Sequence, residues 1–301
     1  MKALILQSLC YFDIFKHPLK KEELARLCNA KEQQTNLDNT LAELLLYEHC
    51  FQFEDYYSIN SSIQKLVMER KQKEKIAEAY IKKLPFYTKI IRSFPFVRSI
   101  SISGSLSKGV MHKDGDIDYF IITKKNRLWI CRSLLILFKK VFLLNSRKYF
   151  CLNYFVDEDN TEILDQNIFT AIEVSHLIPV YNANIVQRMK DNNSWINNYF
   201  PNHTVQFFFP PLNGNGILKR LLETLFIGQV AERLDLLLMK TTYKRWTKKF
   251  KNFNPEKLEL TMRSNRGISK HHPSDYQTKV LAAYQERIDK LNIANEGTVY
   301  A

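Results

Sequence analysis

Residues 97–123 constrain the fold more than any other part of the chain, because their pattern predicts two strands that flank a glycine turn. Polar and apolar residues alternate from position 97 to 103, as they do in a half-buried strand. Gly104 then allows a tight turn and a close backbone approach to a ligand. A second, apolar strand opens with Asp116 and Asp118, and a spacing of two puts both carboxylates on one face.

The two acids favour a cation site beside a phosphate site. Neighbouring carboxylates raise each other's proton affinity unless a cation lies between them. Mg²⁺, with Mn²⁺ as the alternative, prefers hard oxygen ligands and keeps positions open for a triphosphate and water. Backbone N–H groups after Gly104, together with the Ser105 hydroxyl and with help from Lys108, can hold phosphate oxygens. A turn plus a solvated strand end explains either half of this pattern alone, but not both within one segment.

Gly104-Ser105, a spacer, Asp116-Ile-Asp118 and an apolar strand together resemble the signature of the DNA polymerase beta-type nucleotidyltransferase superfamily. The resemblance implies an α+β fold with a small mixed-sheet core. It also implies two-metal transfer of a nucleoside monophosphate from an NTP to an acceptor, with release of pyrophosphate. In that chemistry Asp116 and Asp118 are metal ligands and catalytic residues, and Gly104, Ser105 and Lys108 contact the NTP. The signature is short, and it leaves the acceptor open between a small molecule, RNA and a protein.

The superfamily normally supplies a third carboxylate from a later strand, which we expect over residues 148–157, after a helix over 126–144. Asn153 stands at the expected place. Its oxygen can ligate a metal or position a substrate hydroxyl, but a neutral amide cannot act as a base. Asp157 lies on the same face of the predicted strand as Asn153, but about 13 Å further along it. Two interpretations stay open: a transferase with Asn153 in its catalytic centre, or a catalytically impaired protein that regulates by binding nucleotide or a partner protein. Asn153 can also be a satisfied buried polar residue.

The whole chain, with 301 residues and 45% hydrophobic residues, suits two or three domains with sizeable cores. We expect a cytoplasmic protein, because no secretory signal or membrane-spanning stretch is evident. The cysteines form no C-x-x-C pair, which favours small buried thiols over zinc or disulfides. They are Cys10, Cys28, Cys50, Cys131 and Cys151.

Residues 1–60 form the first predicted domain, a winged-helix-like module with helices over 1–15, 21–28 and 35–47 and a hairpin over 51–59. DNA binding is disfavoured by charge. The module holds six Lys or Arg and nine Asp or Glu, and its third helix carries Asp38 and Glu43 without any cation. Groove binding needs cations that neutralise phosphates. A packing or protein-contact role is therefore preferred.

Residues 61–165 are the predicted nucleotidyltransferase core, and residues 166–301 a helical acceptor-side domain. Because residues 1–60 hold three more acids than bases, the basic excess of the chain lies after residue 60 and is larger than its overall net charge of +13. Helices are expected over 169–179, 184–199, 217–251 and 274–292. The basic, aromatic tract 243–251 could grip RNA or anionic lipid, but the exposed end of a helix is preferred. For Lys270-His271-His272, in a predicted polar turn, a surface or phosphate-contact role is preferred over metal binding.

Overall fold

The computed structural model describes residues 1–28, 34–214 and 216–291. The N-terminal elements are α1 Lys2–Asp13, β1 Leu19–Lys20, α2 Lys21–Leu27, α3 Gln34–Leu46, β2 Phe51–Phe53 and β3 Tyr56–Ser58. The three predicted helices and the predicted hairpin are present. β1 adds a third strand, and the antiparallel sheet has the order β1-β3-β2. The interpretation of this unit as a winged-helix-like module stays a prediction.

The acids of α3 pair with lysines of the same unit. Asp38 lies 2.5 Å from Lys21, and Glu43 lies 3.1 Å from Lys2. A buried arginine on α4 (Ile63–Ile81) fixes the unit to the rest of the chain. The Arg70 guanidinium donates to both carboxylate oxygens of Glu23 at 2.8 Å, and it also donates to the carbonyl of Pro18.

The central sheet has five strands in the order β7-β4-β5-β6-β8. They are β4 Val97–Ser103, β5 Asp118–Thr123, β6 Cys151–Asp157, β7 Ile178–Tyr181 and β8 Ile268–Lys270. β5 and β6 are parallel, and every other pair is antiparallel. The predicted mixed sheet of an α+β fold is therefore confirmed, with β4, β5 and β6 at their predicted places.

Helices cover both faces of this sheet. They are α5 Leu84–Ser93, α6 Gly104–Ser107, α7 Leu128–Phe142, α8 Ile168–Ser175, α9 Ala183–Asn192, α10 Ile217–Thr224, α11 Gly228–Lys249, α12 Pro255–Met262 and α13 Tyr276–Lys290, with a 3₁₀ turn at Ser194–Asn198. Alternation along β5 divides the core. Phe120 and Ile122 pack with buried residues of α1, α8 and α13, whereas Tyr119 and Ile121 pack with those of α5, α7 and α11. The first 60 residues thus share a core with the C-terminal helix.

The region after residue 166 differs from its prediction as a helical domain, because it contributes two strands to the sheet. The helix expected over 169–179 ends at Ser175, and Pro179 lies in β7. A proline lacks the N–H that a central strand needs, but an edge strand such as β7 tolerates it. Lys270 belongs to β8 rather than to a polar turn.

The prediction of one continuous helix over 217–251 is also wrong, because α10 and α11 are separate helices. Phe226 lies between them and packs on Phe96, with ring centroids 6.2 Å apart. Its carbonyl accepts a hydrogen bond from Arg127. Anchoring this residue in the core interrupts the helix. The division into domains at residues 60 and 165 stays a prediction. No helix in the described ranges combines the length and the apolar character needed to cross a membrane.

Candidate functional site

The predicted site residues meet at the edge of the sheet where β4 ends and β5 and β6 begin. β4 leads directly into the short helix α6, which starts at Gly104. Asp118 and Cys151 open β5 and β6 and are register partners. β8 ends at the same edge, because the backbone N–H of His271 donates to the carbonyl of Asn153 at 2.9 Å.

Gly104 lies directly against Asp118. Its φ of +67° is in the left-handed region that favours glycine. A Cβ atom at this position would lie 2.7 Å from Asp118 Oδ2. The following Ser105 is exposed, and its carbonyl accepts hydrogen bonds from the backbone N–H groups of Lys108 and Val110. The turn therefore needs glycine both for its backbone conformation and for the space that the carboxylate occupies.

Asp116, Asp118 and Cys151 bring one ligand atom each within 4.8 Å of one another. Burial, together with the negative charge of Asp116, raises the pKa of Asp118 to about 7. Burial and both aspartates also raise the pKa of the Cys151 thiol strongly, so the sulfur is a neutral, soft donor. The hard donors that suit Mg²⁺ or Mn²⁺ are the two carboxylates, and a cation between them would relieve their repulsion. The donor set thus fits the expected metal through Asp116 and Asp118.

Cys151 was missed at this site, because the spacing of the five cysteines predicts only small buried thiols. All five are indeed free and buried. A signal existed, since Cys151 lies two residues before Asn153 and therefore on the same face of the predicted strand. Which residue of the next strand stands opposite Asp118 depends on the pairing register, and the sequence does not give that register.

Asn153 contacts Asp118 through its nitrogen. Asn153 Nδ2 donates to Asp118 Oδ1 at 3.0 Å. The β5–β6 register shifts at this point: Tyr119 pairs with Leu152 and Phe120 pairs with Tyr154, which leaves Asn153 as an extra residue. Such a bulge changes the direction in which a side chain points.

Asp157, the other acid of β6, lies away from this edge. It is buried, and its carboxylate accepts hydrogen bonds from the side chain of Asn160 and from the backbone of Asp159. It therefore braces a turn rather than the site, as its distance along the strand suggests.

Lys108 is held beside Gly104 by an acid that sequence reasoning missed. Its ammonium donates to Glu173 Oε1 at 2.9 Å and to the Gly104 carbonyl at 3.2 Å. Burial raises the pKa of the Glu173 carboxyl, but the charge and hydrogen bond of Lys108, together with His176 and the Gly104 backbone, outweigh this effect and leave that pKa below its usual range. Glu173 sits within α8, where no local pattern distinguishes it from a solvated helix residue.

Two cavities adjoin this edge. One, of about 120 Å³, has largely apolar walls that include Phe120 and Phe169, and it opens beside Asp118 and Asn153. The other, of about 160 Å³, lies between the N-terminal helices and the Lys108 turn, and its lining includes His17. A substrate could therefore approach the carboxylates from the first cavity and Lys108 from the second.

Residues 86–190 match the family model described as "Nucleotidyltransferase domain". The matched segment runs from α5 into α9 and contains every predicted site residue, together with Cys151 and Glu173. This match supports a transferase-type enzyme. No curated protein and no solved structure gives a significant match to the chain.

Proposed function

We propose that this protein transfers a nucleoside monophosphate from an NTP to an acceptor and releases pyrophosphate; the match of residues 86–190 to the nucleotidyltransferase-domain model supports this. The observation that carries the proposal is the convergence of Asp116 and Asp118 against the Gly104 turn. The half-buried Asp118 carboxylate thus lies close to a second acid and against a glycine in the left-handed region. A cation and a phosphate chain would make use of both features.

In this proposal Asp116 and Asp118 hold the divalent cations. When bound, Mg²⁺ or Mn²⁺ would neutralise the triphosphate and lower the pKa of the acceptor hydroxyl. Gly104 and Ser105 offer backbone N–H groups and a hydroxyl to the β- and γ-phosphates. Lys108 can contribute as well, since an ammonium has three donors and the structure engages two of them.

We assign Asn153 a positioning role. Its amide donates to Asp118 and favours the ionised form of that carboxyl, the form that can ligate a metal. This hydrogen bond opposes the effect of burial, which favours the protonated form of the Asp118 carboxyl. Asn153 stands where a third carboxylate was expected, and the neutral Cys151 lies close to both aspartates.

The N-terminal unit supports the site as a packing module rather than a DNA reader. Its buried residues share a core with α8, which carries Glu173. The acids of α3 are paired with Lys2 and Lys21, so those two cations are already occupied. This assignment is a proposal, like the winged-helix-like interpretation on which it rests.

The alternative is a catalytically impaired protein that binds nucleotide or a partner protein. It is favoured by one observation, the neutral side chains of Cys151 and Asn153 where a third carboxylate was expected. Pyrophosphate release separates the two proposals, because an impaired protein would bind NTP with metal and release none.

Two measurements test the proposed reaction. Pure protein with Mg²⁺ and each NTP in turn is incubated with cell extract, and mass spectrometry then searches for any species that has gained a nucleoside monophosphate. The melting temperature is used to measure metal binding. We expect Mg²⁺ to raise it only when NTP is present. Replacing both Asp116 and Asp118 by Asn should abolish this coupling in a folded protein. Equal stabilisation by Mg²⁺ alone, or a double variant that fails to fold, would count against the site.

A further inference from the structure

Four cations lie on the β6–β8 side of the sheet, where α7 packs. They are Arg132 and Lys139 on α7, Arg147 just before β6, and Lys249 at the end of α11. Within the described part of the chain, none of the four forms an ion pair. We call these four residues the basic cluster.

Arg132 is the most buried member, with 9% of its surface exposed. Its guanidinium carbon lies 4.8 Å from the ring centroid of Trp246 and 5.7 Å from that of Trp129. Burial lowers its pKa to about 10. Two indole rings attract a cation by about 0.5–2 kcal/mol each, but they supply no hydrogen-bond acceptor for the five N–H donors. Among the residues that the structure describes, no acceptor bonds this guanidinium, so its planar array of donors can bind an anion.

Lys139 extends the basic cluster from Arg132 to the carboxylates. It is 7% exposed and lies two turns further along α7, about 10 Å away on the same helical face. Burial lowers the pKa of its ammonium, and its charge interacts with those of Arg147, Asp116 and Arg132. Lys139 is therefore within electrostatic range of Asp116, one of the two acids of the candidate metal site.

His271 connects the basic cluster to the third strand of the site. Its ring lies 4.9 Å from that of Trp246, while its backbone N–H bonds to Asn153. The ring interacts electrostatically with Arg132, Lys249 and Arg147. The end of the basic tract 243–251 is thus placed at the functional edge of the sheet by tertiary structure.

The order of the strands in the sheet places the basic cluster and the Gly104 turn on opposite sides of β5. β4, which ends at Gly104, flanks β5 on one side, and β6 followed by β8 flanks it on the other. α7 packs against β6 and β8. The two carboxylates therefore lie between two places suited to phosphate, and a transfer reaction needs a donor on one side and an acceptor on the other.

We propose that Arg132, Lys139, Arg147 and Lys249 bind the phosphate groups of the acceptor, so that the acceptor carries at least two of them. This inference rests on the proposed function. One phosphate cannot contact cations spread over about 10 Å, whereas a chain of phosphates can. A nucleic-acid strand and a phosphorylated small molecule both offer this chemistry.

The test measures binding to the full-length protein without NTP or metal. A labelled short single-stranded RNA is followed by fluorescence anisotropy at several salt concentrations, and inorganic tripolyphosphate is followed by the emission of the tryptophans beside Arg132. Each phosphate contact adds about 0.7 to the magnitude of the salt slope for a single strand. We expect RNA to bind with a slope of about −2 to −3, and Lys139→Met to lower that magnitude by about 0.7.

Lys279→Met, at an exposed position on α13, is the matched control, since it removes the same charge. It should leave binding unchanged. Lys139→Met should also keep or raise the melting temperature, because it removes a buried cation that has no partner. A lower melting temperature with unchanged binding would make Lys139 structural and overturn the proposal.

The two probes separate the sources of phosphate. Binding of tripolyphosphate alone, weakened by Lys139→Met, supports a phosphorylated small molecule as the acceptor. Binding that Lys139→Met leaves intact belongs to the Gly104 turn and overturns the proposal, as does an absence of binding by both probes. Failure of the transfer reaction is distinguishable, since a protein that binds RNA through the basic cluster but releases no pyrophosphate would overturn only the proposed function.

Discussion

Asn153 Nδ2 donates a hydrogen bond to Asp118 Oδ1 at 3.0 Å, so an amide contacts the carboxylate from the position where a third carboxylate was expected. This bond favours the ionised carboxylate, while burial and Asp116 favour the protonated one. The pKa of Asp118, at about 7, reflects this opposition. Small changes at Asn153 should therefore decide whether Asp118 can ligate a metal near neutral pH.

Asn153→Asp should make the protein more dependent on metal. Without metal it places a second negative charge against Asp118, and we expect the free energy of unfolding to fall by about 1–3 kcal/mol at pH 8. With Mg²⁺ and NTP the third carboxylate should give a larger rise in melting temperature than in the wild type. Thermal unfolding with and without both ligands checks this. An unchanged response would remove Asn153 from the metal site.

Gly104→Ala should abolish the coupling between Mg²⁺ and NTP. The new Cβ would meet Asp118 Oδ2 at 2.7 Å and would also strain the left-handed backbone. Gly109→Ala is a matched control, since Gly109 has a φ of +72° and open space around its Cβ position. Both should lose about 1 kcal/mol to backbone strain, measured by urea unfolding. If both variants retain the coupling, close approach to Asp118 does not matter.

Lys108 and Glu173 should show a strong energetic coupling. Lys108→Met leaves the Glu173 carboxylate without its partner, and we expect a loss of about 1–3 kcal/mol in unfolding free energy. Glu173→Gln in the same chain should recover most of that loss. A double-mutant cycle by urea unfolding measures the coupling. If Lys108 also contacts phosphate, the double variant will be stable yet bind NTP more weakly, whereas unchanged NTP affinity would assign Lys108 a purely structural role.

His17 should make the protein less stable in mild acid. Burial lowers its pKa from 6.5 to about 3, so between these values the unfolded chain binds a proton that the folded protein does not. Stability should therefore fall as pH decreases from about 6.5, by about 1.4 kcal/mol per pH unit from this residue. His17→Gln should remove that contribution, measured by urea unfolding between pH 6.5 and 4.5. His49→Gln, at an exposed position, should leave the slope unchanged; a slope that persists in His17→Gln would contradict the assignment.

The strands of the core were predictable because their determinants are local. Alternation defines β4, an apolar run defines β5, and the conformational freedom of glycine defines the turn between them. β7 and β8 were not predictable in the same way. Each has only three or four residues, and pairing with a neighbour, rather than periodicity, makes such a short segment a strand.

The sequence by itself determined that Gly104, Asp116 and Asp118 lie together, because they stand at neighbouring ends of two strands that follow one another in the chain. Only the tertiary structure decided what surrounds them. The β5–β6 register and its bulge bring Cys151 and Asn153 to Asp118, and helix packing brings Glu173 to the Gly104 turn. The same packing gathers the basic cluster from α7, α11 and the segment before β6. These contacts join residues far apart in the chain, and neither register nor helix packing leaves a signature in local sequence.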